Sequence, residues 1–237
     1  MICPQCKKAH LRMDRQSFQK KVPAHKLYDL GSPDSDNIES GMFAGFLKCD
    51  GNFCGQYVAV AGSYSLEFYY DYDPETDEPI THEANNYYPK VMTPAPEIIS
   101  YPTKLNRDSK SHLRRSFELF WADHGACANR LRIVVEYLLD QLSVPRVGQK
   151  GRNKNARLDL ADRINLLSAT QSEHEDTLNA LRHVGNAGSH DGSVDFEDLI
   201  DCYELLEDAM VELIDNRRKN LAAKAQAINA RKGKPKP

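Results

Sequence analysis

The sequence predicts an α+β protein in which a small antiparallel β unit anchored by cysteines precedes a helical bundle. Two close cysteine pairs stand near the N-terminus, and short runs rich in aromatic and β-branched residues follow them. Beyond a proline-rich stretch, apolar residues recur at intervals of three and four instead of two. With 41% hydrophobic and 27% charged residues, the 237-residue chain has enough apolar material to bury a core. No apolar run approaches the roughly 20 residues needed to span a membrane. Met1 leads straight into Ile2, Cys3 and Pro4, without a basic start or an apolar signal core, so a cytoplasmic protein is expected.

Four of the six cysteines form the pairs Cys3/Cys6 and Cys49/Cys54. Gaps of two to four residues let each pair present two sulfurs to one ion, the pattern of a tetrahedral thiolate site. Pro4, Gly51 and Gly55 suit the tight backbone that such knuckles need. A reducing compartment disfavours disulfides. One structural zinc ion is therefore expected on Cys3, Cys6, Cys49 and Cys54, with iron as the rival metal. Four thiolates fill the shell, so His10 and His25 are not needed as ligands, and the ion has no open position for activating water. Cys127 and Cys202 lie within helical patterns and read as small core residues.

Phe43–Lys48, Gln56–Ala61 and Ser65–Tyr72 read as short strands joined by Asp-Gly-Asn and Gly-Ser turns. Eight of the eleven tyrosines fall between Tyr57 and Tyr101, a density that would suit base stacking. The same stretch carries eight acids against Lys90 alone, which would repel a phosphate backbone, so sheet packing or a protein contact is expected there. These elements make residues 1–92 a β domain, and prolines at 94, 96 and 102 mark residues 93–105 as a linker.

Residues 106–216 read as the helical domain. Helices are expected at Arg107–Ala122, at Ala126–Leu142 with Cys127, Leu131, Val134, Val135, Leu138 and Leu142 on one face, at Leu158–Leu167 and at Glu175–Val184. A last helix from Asp195 places Phe196, Leu199, Tyr203, Leu206, Met210 and Leu213 on a stripe that reads as core or as a dimer seam. Arg132 and Glu136, one turn apart, are expected to form an internal ion pair. A basic loop carries Arg146, Lys150, Arg152, Lys154 and Arg157. Residues 217–237 form a basic tail with eight Lys or Arg, including Arg217, Arg218 and Lys219, and no acid. Against a formal net charge of −3, this leaves −11 on residues 1–216. Loop and tail are the candidate nucleic-acid contacts. The tail is otherwise read as an exposed continuation of the last helix that frays before Pro235.

Ala126–Asp215 resembles the bacterial domain of unknown function 4145, a family related to the HEPN helical domains. The residues that carry the resemblance are Arg132–Glu136, Leu158–Ile164 and, above all, Leu181–His190, whose sequence is Leu-Arg-His-Val-Gly-Asn-Ala-Gly-Ser-His. The cysteine pairs look like the zinc ribbon often found in front of such domains. The resemblance implies a HEPN-like bundle, a homodimer, and a place in a bacterial defence or stress system. HEPN ribonucleases use an Arg, then four to six residues, then a His. By that resemblance His190 would be general acid or base, and Arg182 with Asn186 would serve the reacting phosphate. Here seven residues separate Arg182 from His190, and Gly185 stands immediately before Asn186 where the catalytic Arg would be. Gly185 and Gly188 also read as helix terminators, with Asn186 and His190 bonding the turn and Asp191 or Ser193 capping the next helix.

The spacing favours a zinc-stabilised, dimeric, non-catalytic module that binds nucleic acid or a partner protein. A metal-independent endoribonuclease using Arg182, Asn186 and His190 is the alternative. No Walker loop, dinucleotide turn, zincin helix or nucleophile elbow is present.

Overall fold

Residues of alternating burial build the N-terminal unit. In a computed structural model, which describes residues 1–24, 40–190 and 192–234, the chain divides into two units, Met1–Pro96 and Glu97–Pro237. The first holds one antiparallel sheet: β1 (Leu11–Met13), β2 (Gln19–Lys21), β3 (Ser40–Cys49), β4 (Tyr57–Tyr72) and β5 (Pro79–Thr93). β1 and β2 pair with successive parts of β3, which pairs with β4, and β4 with β5. Phe43, Leu47 and Cys49 on β3 and Val58, Val60 and Tyr64 on β4 are buried at every second position, as a one-sided sheet requires.

Two features depart from the sequence expectation. Gly62 and Ser63 do not turn the chain. β4 runs through them as a single strand of 16 residues, and Gly62 sits where its register against β5 shifts, opposite Pro89. β5 lacks an alternating apolar pattern because it is exposed on both faces over most of its length. Its distal half and that of β4 form a two-stranded ribbon on which Tyr70 and Tyr72 are exposed. Glu67 accepts hydrogen bonds from the hydroxyls of Tyr69 (3.0 Å) and Tyr88 (2.8 Å), and Phe18, Phe43 and Tyr87 cluster edge to face. Several of the concentrated aromatics thus serve sheet packing.

Among the described residues the second unit contains six α-helices: α1 (Arg107–Leu119), α2 (His124–Gln141), α3 (Leu160–Ser168), α4 (Glu175–His190), α5 (Phe196–Met210) and α6 (Arg217–Ala230). Side chains of Asn106, Asp123 and Asp195 cap α1, α2 and α5, and Asp159 forms a reciprocal capping box with Asp162 at α3. The cap of α5 is therefore Asp195 and not Ser193, while Asp191 lies outside the described residues. Residues 97–105, expected to be linker, are tied to the bundle. The Ser100 amide donates to Glu207, Lys110 donates to the Thr103 carbonyl, and Gln141 donates to the Lys104 carbonyl.

α2 packs against α1, α3, α4 and α5 and buries Cys127, Leu131, Val134, Val135 and Leu138. A buried polar knot lies beside it. Tyr203 donates to Ser116 Oγ (3.0 Å), Ser116 donates to the Leu113 carbonyl (2.7 Å), and Cys127 Sγ lies 3.1 Å from the Tyr203 oxygen. Burial pushes the Cys127 thiol up to about 12 and that of Cys202 to about 11, which leaves both as core groups. The stripe from Leu199 to Met210 on α5, with Leu213 just beyond it, is buried within the single chain, and Phe196 is half exposed. The stripe is therefore core of this chain. After α5 a π-turn (Val211–Asp215) and Asn216, in the left-handed conformation, break the helix, so α6 is a separate helix without buried residues.

Gly185 and Gly188 do not end α4, which continues to His190. They let it lie directly on α2. A Cβ at Gly185 would come within 2.5 Å of Arg132 Cβ and 3.0 Å of the Ala128 carbonyl, and one at Gly188 within 2.5 Å of the Gly125 carbonyl. Gly188→Ala is expected to destabilise the protein by about 1 to 3 kcal/mol in urea denaturation through this overpacking. The clash outweighs the gain of about 1 kcal/mol from replacing a helical glycine. An unchanged or higher midpoint would show that the two backbones are not in contact.

Candidate metal centre and basic surfaces

Both cysteine pairs are delivered to one place by strand register. Leu11 pairs with Cys49 at the end of β3, and the bridge between Ile2 and His10 folds the N-terminus back alongside. The Cys3 amide donates to the Ala9 carbonyl (2.8 Å), and the Lys7 amide donates to the Cys3 carbonyl (3.0 Å), closing the first knuckle. In the second, the Cys54 amide donates to the Gly51 carbonyl, the Gly51 amide points to Cys49 Sγ (3.4 Å), and Gly55 takes φ +61°. Asp50 clamps the two knuckles together by accepting from the His10 amide (2.8 Å) and Arg12 Nε (3.2 Å).

The four sulfurs lie within 4.8 Å of one another and can hold a metal ion. Cys3 and Cys54, and likewise Cys6 and Cys49, are 3.7 Å apart. That is the edge of a tetrahedron whose metal–sulfur bonds are about 2.3 Å, and far too long for a disulfide. The Ala9 amide, then the Lys8 amide, bring the Cys6 thiol down to about 6. Cys49 accepts from the Gly51 amide, yet desolvation and the neighbouring thiols push it up to about 12. Four crowded thiols cannot all ionise by themselves, and a cation at their centre removes that conflict. His10 bonds Asp50 through its backbone and is not part of the cluster, and His25 lies outside the described residues.

In the second unit, the helical rather than turned path of α4 changes the geometry of Arg182, Asn186 and His190. Four-residue steps place them along one face, but Arg182 and His190 stand roughly 12 Å apart along the axis. Arg182 instead donates to Asn179 (3.0 Å) and contacts His183 Nε2 (2.9 Å), and His190 is exposed. The space opened by Gly185 is crossed by the side chain of Arg132 from α2, which pairs with Glu136 at 3.1 Å as expected.

The expected basic loop is a hairpin, β6 (Val147–Lys150) and β7 (Asn153–Arg157), turning at Gly151. Much of its charge is already matched. Lys150 bonds Asp159 (2.7 Å) and Asp162 (2.6 Å), and Arg146 forms a two-pronged pair with Asp140. Hydrogen bonds from Arg146 first, with Arg163 beside it, hold the Asp140 carboxyl below the usual range. Arg152, Lys154 and Arg157 stay exposed. On α6, Arg217 and Lys219 are exposed, and Arg218 faces Asp208 and Glu212 at 3.5 and 3.7 Å.

A basic surface that sequence reasoning passed over lies on α1 and α2. Arg107, Lys110, Arg114 and Arg115 of α1 and Arg130 of α2 line a groove of about 770 Å³ that holds one carboxylate, Glu118, already paired with Arg115. His112 stacks on Tyr137 (5.1 Å) and contacts Arg130 (3.2 Å). Burial first, then Arg130, lowers its pKa and favours the neutral ring. The 3-4 spacing of the α1 cations was visible in the sequence, but such a stripe reads as a solvated face until Arg130 is seen to close it.

Residues 114–231, from the middle of α1 through α6, match the family described as Domain of unknown function (DUF4145). The DUF4145 match covers the segment whose motifs carried the resemblance. Residues 1–92 match a different family, described as Domain of unknown function (DUF8608). No curated protein and no solved structure matches the chain. No helix among the described residues is long and apolar enough to cross a membrane.

Because the sulfur geometry fits one ion, elemental analysis of purified protein is expected to give about one metal per chain. Cys54→Ser should lower that ratio, and chelation should melt the N-terminal sheet while leaving the helical circular-dichroism signal of the DUF4145 segment. An ordered N-terminal sheet in fully metal-free protein would refute this linkage.

Proposed function

We propose that the protein is a zinc-stabilised, non-catalytic module that binds nucleic acid through the groove between α1 and α2. The carrying observation is the concentration of five cations around one paired acid, in a chain whose first 216 residues carry a net charge of −11. Like charges gathered against the sign of the whole body repel one another, an arrangement a phosphate backbone relieves. Arg107 and Arg114 make no ion pair among the described residues and are available to phosphates, whereas Lys150 and Arg146 are engaged internally. Arg152 and Lys154 on the hairpin and the cations of α6 add contacts outside the groove. Zinc is the metal that suits four thiolates in a closed tetrahedral shell, and a visible absorption band from the purified protein would assign iron instead.

The experiment is fluorescence anisotropy with single- and double-stranded DNA and RNA across a salt series. The double variant Arg107→Glu/Arg114→Glu should weaken binding at least tenfold and reduce the salt slope by about 1.4 to 1.8, from two lost phosphate contacts. Both substitutions are on an exposed stripe, so the thermal transition should be retained. Unchanged affinity and slope would overturn the groove reading.

The second reading, a metal-independent endoribonuclease, is favoured by one observation: the i, i+4, i+8 placement of Arg182, Asn186 and His190 on one face of α4. Two such faces from a homodimer would have to meet for His190 of one copy to reach a phosphate held by Arg182 of the other. Wild type and His190→Ala, incubated with mixed RNAs in chelator, decide between the readings. Cyclic-phosphate ends from wild type alone would replace the non-catalytic reading, and intact RNA with both proteins is expected.

A further inference from the structure

A second, smaller pocket of about 260 Å³ lies where α2, the hairpin and the start of α3 meet. Four arginines from four different places in the chain line it: Arg132 on α2, Arg146 ahead of the hairpin, Arg157 at the end of β7 and Arg163 on α3. Glu136 and Asp159 are its carboxylates. Pairing leaves this wall positive. Arg132 is matched by Glu136 (3.1 Å), Arg146 and Arg163 share the single carboxylate of Asp140, and Asp159 is taken by Lys150 (2.7 Å). Arg157 has no ion pair or side-chain hydrogen bond among the described residues.

The buried donors point the same way. Arg163 is only 3% exposed; its guanidinium donates to the Glu136 carbonyl (3.1 Å), the Val144 carbonyl (3.0 Å) and Asp140 (2.7 Å), yet its Nε is buried without an acceptor. The Nε of Arg132 is buried without one too. Buried N–H groups are almost always satisfied, so two orphans on cations that line one pocket leave its wall short of acceptors. The surplus positive charge there makes the fitting occupant an anion. The pocket is smaller than the roughly 300 to 1,000 Å³ of sites for drug-sized ligands. Guanidinium forks match a tetrahedral oxyanion two oxygens at a time. Glu136 and Asp159 on the same wall disfavour a di- or triphosphate inside the pocket.

We propose that this pocket binds a single phosphate group, either as inorganic phosphate or as the terminal phosphomonoester of a nucleic-acid strand. The proposal does not rest on the groove, which none of these arginines lines. Arg157 is the residue to vary, because it is exposed and partnerless, and its loss should leave the melting temperature in phosphate-free buffer unchanged. Calorimetric titration of the full chain with inorganic phosphate, against sodium chloride of equal ionic strength, should show saturable binding of about one phosphate per chain. Arg157→Ala should weaken it about tenfold or more, as expected for a lost charge-assisted bidentate contact. Matched oligonucleotides with a 5′-phosphate or a 5′-hydroxyl then separate the sources. A preference for the phosphorylated strand that disappears in Arg157→Ala assigns the strand end, and equal affinity for both, with inorganic phosphate still bound, assigns the free anion. Absence of saturable phosphate binding, or equal phosphate affinity in wild type and Arg157→Ala, would overturn the proposal.

Discussion

The helical unit depends on how closely α4 can approach α2. At Gly125 and Gly188 the two helices meet backbone to backbone, and at Gly185 the aliphatic part of Arg132 lies against a helix with no Cβ in the way. Each mid-helix glycine sacrifices intrinsic helix stability of about 1 kcal/mol, which the close crossing offsets by letting Leu131, Leu178 and Leu181 bury fully. The same approach brings the Arg132–Glu136 pair beside α4 and toward the hairpin and α3. Packing of the core and placement of the arginine pocket are thus consequences of one steric allowance.

Charge in this unit is organised by pairing more than by composition. Asp140 serves both Arg146 and the buried Arg163, and Asp159 with Asp162 binds Lys150 while capping α3. These pairs fasten the hairpin and α3 to α2. They also withdraw cations that a count of the basic loop would offer to an external phosphate. The groove between α1 and α2 has one partnered carboxylate for its five cations, and surplus charge of that kind persists in a fold only where solvent or a ligand can compensate it.

The N-terminal unit follows another economy. Its sheet is narrow, and the long β4–β5 ribbon extends past the part that has a buried face, so the apolar core is small and confined to the end where β1 and β3 meet. The four sulfurs occupy the same end. A small domain with a thin core is the setting in which a closed metal site contributes most to folding. The Asp50 clamp and the amide donors to sulfur fix the knuckles in an arrangement that can hold an ion and keep Gly51 and Gly55 in the turns they require.

The sequence by itself determined the two-part α+β organisation, the grouping of four cysteines, and the existence of most helices. Those features are written in local spacing: gaps that suit a tetrahedral ion, alternation at period two, and apolar recurrence at 3-4 intervals. It also showed the Arg132–Glu136 pair, one helical turn apart. Tertiary structure decided what local spacing cannot. Gly185 and Gly188 looked like helix terminators because a glycine's intrinsic preference is all a sequence displays, whereas the helix continues since another backbone fills the space beside them. β5 escaped notice because a ribbon exposed on both faces has no reason to alternate, and the stripe on α5 proved to be core because other helices of the same chain cover it. The basic groove and the arginine pocket were invisible for the same reason: each assembles cations from elements distant in sequence, and whether a cation is free depends on which carboxylate the fold brings within reach.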